Sequence, residues 1–129
     1  MNAAELYKSG ELDAAIVAQV QDVKANPLDQ SKRLFLFELV AFSGDLDRAR
    51  RQIDVLKYDD QDLELAAMGY RKLLDSEQAR RDLFAKGVPP GFFGEPSEHL
   101  RLRLEAVQRL RAHDVDDAAE LLARAAKGT

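Results

Sequence analysis

Two histidines, His99 and His113, are the side chains in this 129-residue chain best suited to acid–base or metal chemistry, and each has an acidic neighbour, Glu98 and Asp114. A metal site needs ligands converging from one face, as positions i and i+4 of a helix provide. These two are fourteen residues apart. They read instead as a first-turn helix residue, His99, and a helix-terminal one, His113, where a partial positive charge is mildly favourable. Ser9, Ser31, Ser43, Ser76 and Ser97 fall mostly at predicted turns or helix starts, where a hydroxyl caps free amides, and none lies in a nucleophile elbow. The carboxylate pairs Asp59–Asp60 and Asp116–Asp117 suit helix starts. The stretch GVPPGFFGEP, residues 87–96, has three glycines but neither the Gly-Lys-Ser/Thr nor the preceding strand of a phosphate loop. With no cysteine, disulfides, thiolate ligands and thiol nucleophiles are excluded. The expectation is a non-enzyme with no cofactor and no metal. The rival from another class is a small hydrolase using His99 or His113 with nearby carboxylates.

The bulk numbers narrow the partners. Nineteen basic and 23 acidic residues give a formal charge of -4, with the signs interspersed, so neither a nucleic-acid nor an anionic-membrane footprint is present. The length suits one domain with a real core. The N-terminus lacks the basic and apolar regions of a secretory signal. The longest apolar run, around Leu34 to Phe42, is far too short for a membrane span. A soluble, cytoplasmic protein without membrane insertion is expected.

The elements that would position any site are helices. Leu12, Ala15, Ile16, Val20 and Val23 follow a helical period, with Gln19 as the exception, and Asn26–Pro27 ends the segment. Ser31 to Ser43 is apolar at eight of the nine positions 34–42, which predicts a helix buried between neighbours. Gly44 suits a left-handed C-terminal cap and Asp45 an N-cap for the helix carrying Leu46, Ala49, Ile53 and Leu56. The stretches KSGELDAAI and FSGDLDRAR place Gly10, Leu12, Asp13 and Ala15 in register with Gly44, Leu46, Asp47 and Ala49, at a spacing of 34 residues. That is the period of tetratricopeptide-like helical hairpins, in which a small residue at the alanine position lets two helices approach. AHDVDDAAELL is a degenerate third copy, with His113 in the glycine's place and Ala118 at the alanine position. Gln61 to Lys86 reads as one long helix, or two broken near Asp75–Ser76, with Leu63, Ala66, Tyr70, Leu74 and Phe84 near one face. Its Arg80, Arg81 and Asp82 read as a solvated face. The expected architecture is all-α, a tetratricopeptide-like stack of about seven helices in a single domain 1–129. Its hairpins are expected near 1–27, 28–59, 60–87 and 95–129.

Three of the four prolines crowd into GVPPGFFGEP, so it is a connection inside the helical stack. Glu95–Pro96 suits an N-cap and first-turn proline for the next helix. Phe93 is expected to be a buried plug and Phe92 the more exposed ring, a candidate partner contact. Stacked hairpins leave a concave face that commonly receives a peptide or helix. The alanine register puts Leu34, Glu38 and Phe42, then Leu65, Met68 and Lys72, on that face, with Glu38 and Lys72 able to set the register of a bound helix. The apolar members of that set also fit a plain core role, Leu34 and Phe42 above all.

Three stretches resemble the ImpE family, also called TagJ or SciE: RLFLFELVAFSGDLDRARRQIDVL at 33–56, YRKLLDSEQARRDLFAKG at 70–87 and GFFGEPSEHLRLRLEAVQRL at 91–110. The Phe93-Gly94-Glu95-Pro96 core is the most specific of them. Histidine stands at 99, where the family pattern has tryptophan. Members are usually longer, so the chain is expected to be the N-terminal part of a longer family protein or a naturally short relative. The resemblance implies an accessory role in bacterial type VI secretion. The partners it implies are a helix of the small contractile-sheath subunit and the ClpV-type ATPase that recycles the sheath. A generic helical-repeat scaffold or secretion chaperone is the alternative.

Overall fold

The computed structural model describes residues 1–56 and 61–128. Asp59–Asp60 and Thr129 lie outside the described residues. Among those described, seven helices and no strand form: α1 (Ala3–Lys8), α2 (Leu12–Ala25), α3 (Gln30–Phe42), α4 (Leu46–Asp54), α5 (Gln61–Lys86), α6 (Glu98–Arg111) and α7 (Val115–Lys127). The all-α reading with hairpin packing holds. The chain divides into two compact units, Met1–Leu74 and Asp75–Thr129.

In the first unit α1 packs on α2, α2 on α3 and α3 on α4. The register of the repeat explains these pairs. Gly10 and Gly44 take left-handed backbone conformations, φ 84° and 86°, which glycine adopts without the Cβ penalty. Each turn then starts a helix whose alanine, Ala15 or Ala49, is fully buried. Asp45 caps α4 by accepting from the Arg48 amide at 3.1 Å, and Asp29 caps α3 through the Lys32 amide at 3.3 Å. The core centres on α3, where Phe37, Leu39 and Val40 are buried with Ile53 of α4. Phe37 meets Tyr70 of α5 with ring centroids 5.0 Å apart.

Gln19, the break in α2's apolar period, is buried, and its amide donates to the Lys32 carbonyl at 2.8 Å. A buried amide needs such a partner. One turn on, Lys32 reaches both oxygens of Asp22 at 2.8 Å. The polar exception therefore ties α2 to α3.

Since Ala49 has no exposed surface at the α3–α4 approach, Ala49→Leu is expected to destabilise the protein by about 1–3 kcal/mol through overpacking. A urea unfolding midpoint equal to wild type would show the hairpin register to be wrong.

The phase of α5 differs from the sequence expectation. In the part of α5 that belongs to the first unit, the buried or half-buried apolar positions are Leu63, Ala67, Tyr70 and Leu74, whereas Ala66 is exposed, as is Phe84 further on. Ala66 and Phe84 lie five turns apart and so on one side of the helix, off the buried stripe. The helix also runs through Asp75–Ser76 without a break.

In the second unit α6 and α7 form a hairpin closed by Ala106, Ala118 and Leu121, with Leu102 against them. The turn repeats the earlier geometry with a different residue: His113 has φ 62°, and Asp114 caps α7 by accepting from the Asp117 amide at 3.2 Å. The preceding loop is anchored at its start. The Gln108 side chain donates to the Gly87 carbonyl at 2.9 Å and Arg111 to the Ala85 carbonyl at 3.2 Å. Gly87 has φ 74°, a left-handed conformation that favours glycine, and a Cβ there would push aside the flexible ends of Arg111 and Gln108 that anchor the loop.

Two expectations about this loop are corrected. Helix α6 begins at Glu98 with Ser97 as N-cap, so Pro96 lies just outside it, and Glu95 is spent on an ion pair with Arg101 at 3.0 Å. Phe93 is not a plug. It is fully exposed, at 116% of its reference area against 42% for Phe92. Gly91 and Gly94 face open space, and the α6–α7 hairpin closes on its own Ala106, Ala118 and Leu121, with Leu102 against them, without Phe93. Phe93→Ala is accordingly expected to change stability by no more than about 0.5 kcal/mol. A loss several times larger in thermal or urea unfolding would contradict this exposure.

Candidate functional site

The residues suited to chemistry are dispersed. His99 stands in the first turn of α6, where its Nδ1 accepts from the Arg103 guanidinium at 2.7 Å, and His113 occupies the α6–α7 turn. The single Ser9 hydroxyl hydrogen is shared between the Leu6 carbonyl and Glu11, and Ser43 donates to the Val40 carbonyl, so both hydroxyls serve helix ends. Asp116 and Asp117 sit in the first turn of α7. The Asp117 carboxyl is pushed up, first by its hydrogen bond with Asp114 and then by that neighbour's charge. Among the described residues no three His, Asp or Glu side chains are grouped to hold a metal ion.

The charged second half of α5 is organised around Glu77. Arg80 donates to both of its oxygens at 2.8 Å and Arg81 to one at 3.1 Å. These hydrogen bonds, Arg80's first, hold the Glu77 carboxyl down to about 2. A depressed carboxylate stabilises the fold above its unfolded value near 4.3, and the contribution disappears as pH falls through about 2. Arg80→Ala is expected to move the Glu77 titration, followed by carbon-detected NMR, up toward the ordinary range. Wild type should then lose its advantage over the variant in the same acid window. An unmoved Glu77 titration would contradict the pairing.

The apolar surface is more informative. Along α3, Leu34, Glu38 and Phe42 share one face at i, i+4 and i+8. Leu34 is half-buried against the core of the first unit. Glu38 is half-buried beside Tyr70, whose hydroxyl pKa is raised by burial first and then by Glu38's charge and hydrogen bond. Phe42, at 67% exposure, stacks on Tyr7 of α1, itself 43% exposed, with centroids 5.9 Å apart and planes 26° from parallel. Tyr7 was not legible as a site residue, because α1 has only six residues and offers no period to read.

On α5, Leu65 at 65% exposure, Met68 and Lys72 also share a face. It is not the face that meets α3. At 100° per residue they lie about half a turn from Ala67, Tyr70 and Leu74, which turn inward. The structure therefore keeps the α3 set and the α5 set as two surfaces rather than one groove. Phe92 belongs to a third, the loop before α6. A cleft of about 390 Å³ lies among Ile16, Val17 and Val20 of α2 with Arg48 of α4, a location that sequence periodicity did not suggest.

No helix among the described residues is long and apolar enough to cross a membrane. No family model matches the chain. A curated relative, the type VI secretion system accessory component TagJ of Pseudomonas aeruginosa, is 34% identical over 122 residues, covering 95% of this chain and 43% of that protein. The chain thus spans less than half the length of that relative. The match runs through the repeat, the long helix and the last hairpin alike, and that identity supports assignment to the ImpE/TagJ family.

Proposed function

We propose that this chain acts as a non-catalytic cytoplasmic adaptor of a bacterial type VI secretion system, binding a helix of the small contractile-sheath subunit. Through that contact it is linked to recycling of the sheath by the ClpV-type ATPase. The observation that carries the reading is the identity with a named accessory component of such a system over nearly the whole chain.

Two further features support it. Helical hairpins of this kind receive extended or helical peptides through exposed side chains on their helix faces. The α3 strip ending at Phe42 and Tyr7 offers an aromatic anchor of the sort that dominates such contacts, and Leu65 and Met68 of α5 offer a second apolar surface.

The test is a calorimetric titration of the purified small sheath subunit into this chain, paired with a pulldown from the native bacterium. Saturable one-to-one binding and recovery of sheath components are expected. An absence of binding at high micromolar concentration, with secreted cargo recovered instead, would replace this reading with that of a secretion chaperone.

A further inference from the structure

The α3 strip joins two chemistries one helical turn apart. At one end the stacked rings of Phe42 and Tyr7 face solvent. Four residues earlier on the same face, Glu38 holds a half-buried carboxylate with which no cation pairs among the described residues. Its described neighbour is the Tyr70 hydroxyl, and Lys72 lies on the other side of α5. A half-buried carboxylate interacts more strongly than an exposed one with a base delivered alongside apolar surface.

Resting on the function proposed above, we infer that the bound helix is recognised by a large apolar side chain seated on the Tyr7–Phe42 pair and a lysine or arginine, one turn away, paired with Glu38. The spacing follows from α3 itself. Its 1.5 Å rise puts positions 38 and 42 roughly 6 Å apart along the axis, the separation that residues three or four apart present on a helix lying alongside. An acidic residue in place of the base would meet Glu38 as a like charge. The strip therefore selects amphipathic helices by charge as well as by apolar area.

The experiment titrates the whole chain against a synthetic peptide spanning the sheath-subunit helix that binds, with fluorescence anisotropy as the readout. Replacing the peptide's base by alanine is expected to weaken binding about tenfold, and Glu38→Gln to weaken the unmodified peptide by a similar factor. The two changes together should cost no more than either alone, because they remove one pairing. Tyr7→Leu should weaken both peptides alike. Circular dichroism and a thermal melt establish that each variant is folded, and the isosteric Glu38→Gln leaves packing unchanged. Losses that simply multiply, a Glu38→Gln variant that binds like wild type, or a bound helix with no base one turn from an apolar residue would each overturn the pairing while leaving helix binding intact. If no sheath-subunit helix binds, the function proposed above fails and this inference fails with it.

Discussion

Phe37→Ala will lower the stability of the protein by about 3–5 kcal/mol, a large share of the 5–15 kcal/mol typical of a small fold. The ring is only 2% exposed, belongs to the buried cluster of the first unit and meets Tyr70 of α5. Removing it leaves a cavity that α3 cannot close by moving. That helix is held on one side by the Gln19 and Lys32 links to α2 and on the other by its contact with α4. Phe37→Leu keeps most of the volume and should cost less than about 1.5 kcal/mol. Urea unfolding of the two variants, with the exposed Val17→Ala as a control, measures the difference. A Phe37→Ala midpoint no lower than the control's would show that α3 is not the centre of the core.

Phe42→Ala is the counterpart on the outside, large in binding and small in folding. If Phe42 anchors the partner helix, its truncation should weaken binding by at least about 30-fold, the loss of roughly 2 kcal/mol that marks a dominant interface residue. Its stability cost should stay near the 0.5–1.5 kcal/mol of a lost aromatic pair, because the ring is two-thirds exposed and rests on Tyr7 alone among aromatics. Lys72→Ala, on the other face of α5, should change affinity only a few-fold, since exposed charges act mainly on association rate. A peptide of the sheath helix titrated against the three proteins decides it. Should folded Phe42→Ala bind like wild type, the anchor lies elsewhere, on the α5 surface of Leu65 and Met68 or on the loop of Phe92.

Residue types were diagnostic wherever the backbone allows few substitutes. Gly10 and Gly44 at left-handed turns, Ala15, Ala49 and Ala118 at close helix approaches, and Asp45 at an N-cap are each dictated by local geometry, so these turns and approaches could be placed from spacing, whereas the hairpin expected near 60–87 is one long helix. Where several arrangements satisfy the same pattern, sequence was silent. Eight apolar residues in nine on α3 demanded neighbours on most sides without saying which side would lack one. Leu34 and Phe42 therefore looked alike, though one packs on the core and the other faces water. Gln19 looked like a flaw in a stripe until its carbonyl partner on α3 was known. For Phe92 and Phe93 no period exists to read, and burial in a loop depends on whether a neighbouring hairpin leaves a hole.

Two adjacent phenylalanines held in water would ordinarily be a hazard when chains meet at high concentration, since short apolar segments without proline readily add to one another as strands. Here Pro89 and Pro90 precede the rings and Pro96 follows them, so none of those three positions has an amide hydrogen to offer a neighbouring chain. Gly91 and Gly94 further weaken any extended pairing by their conformational freedom. The prolines and glycines thus act as gatekeepers against fibril growth, and this loop displays aromatic surface without a strand edge.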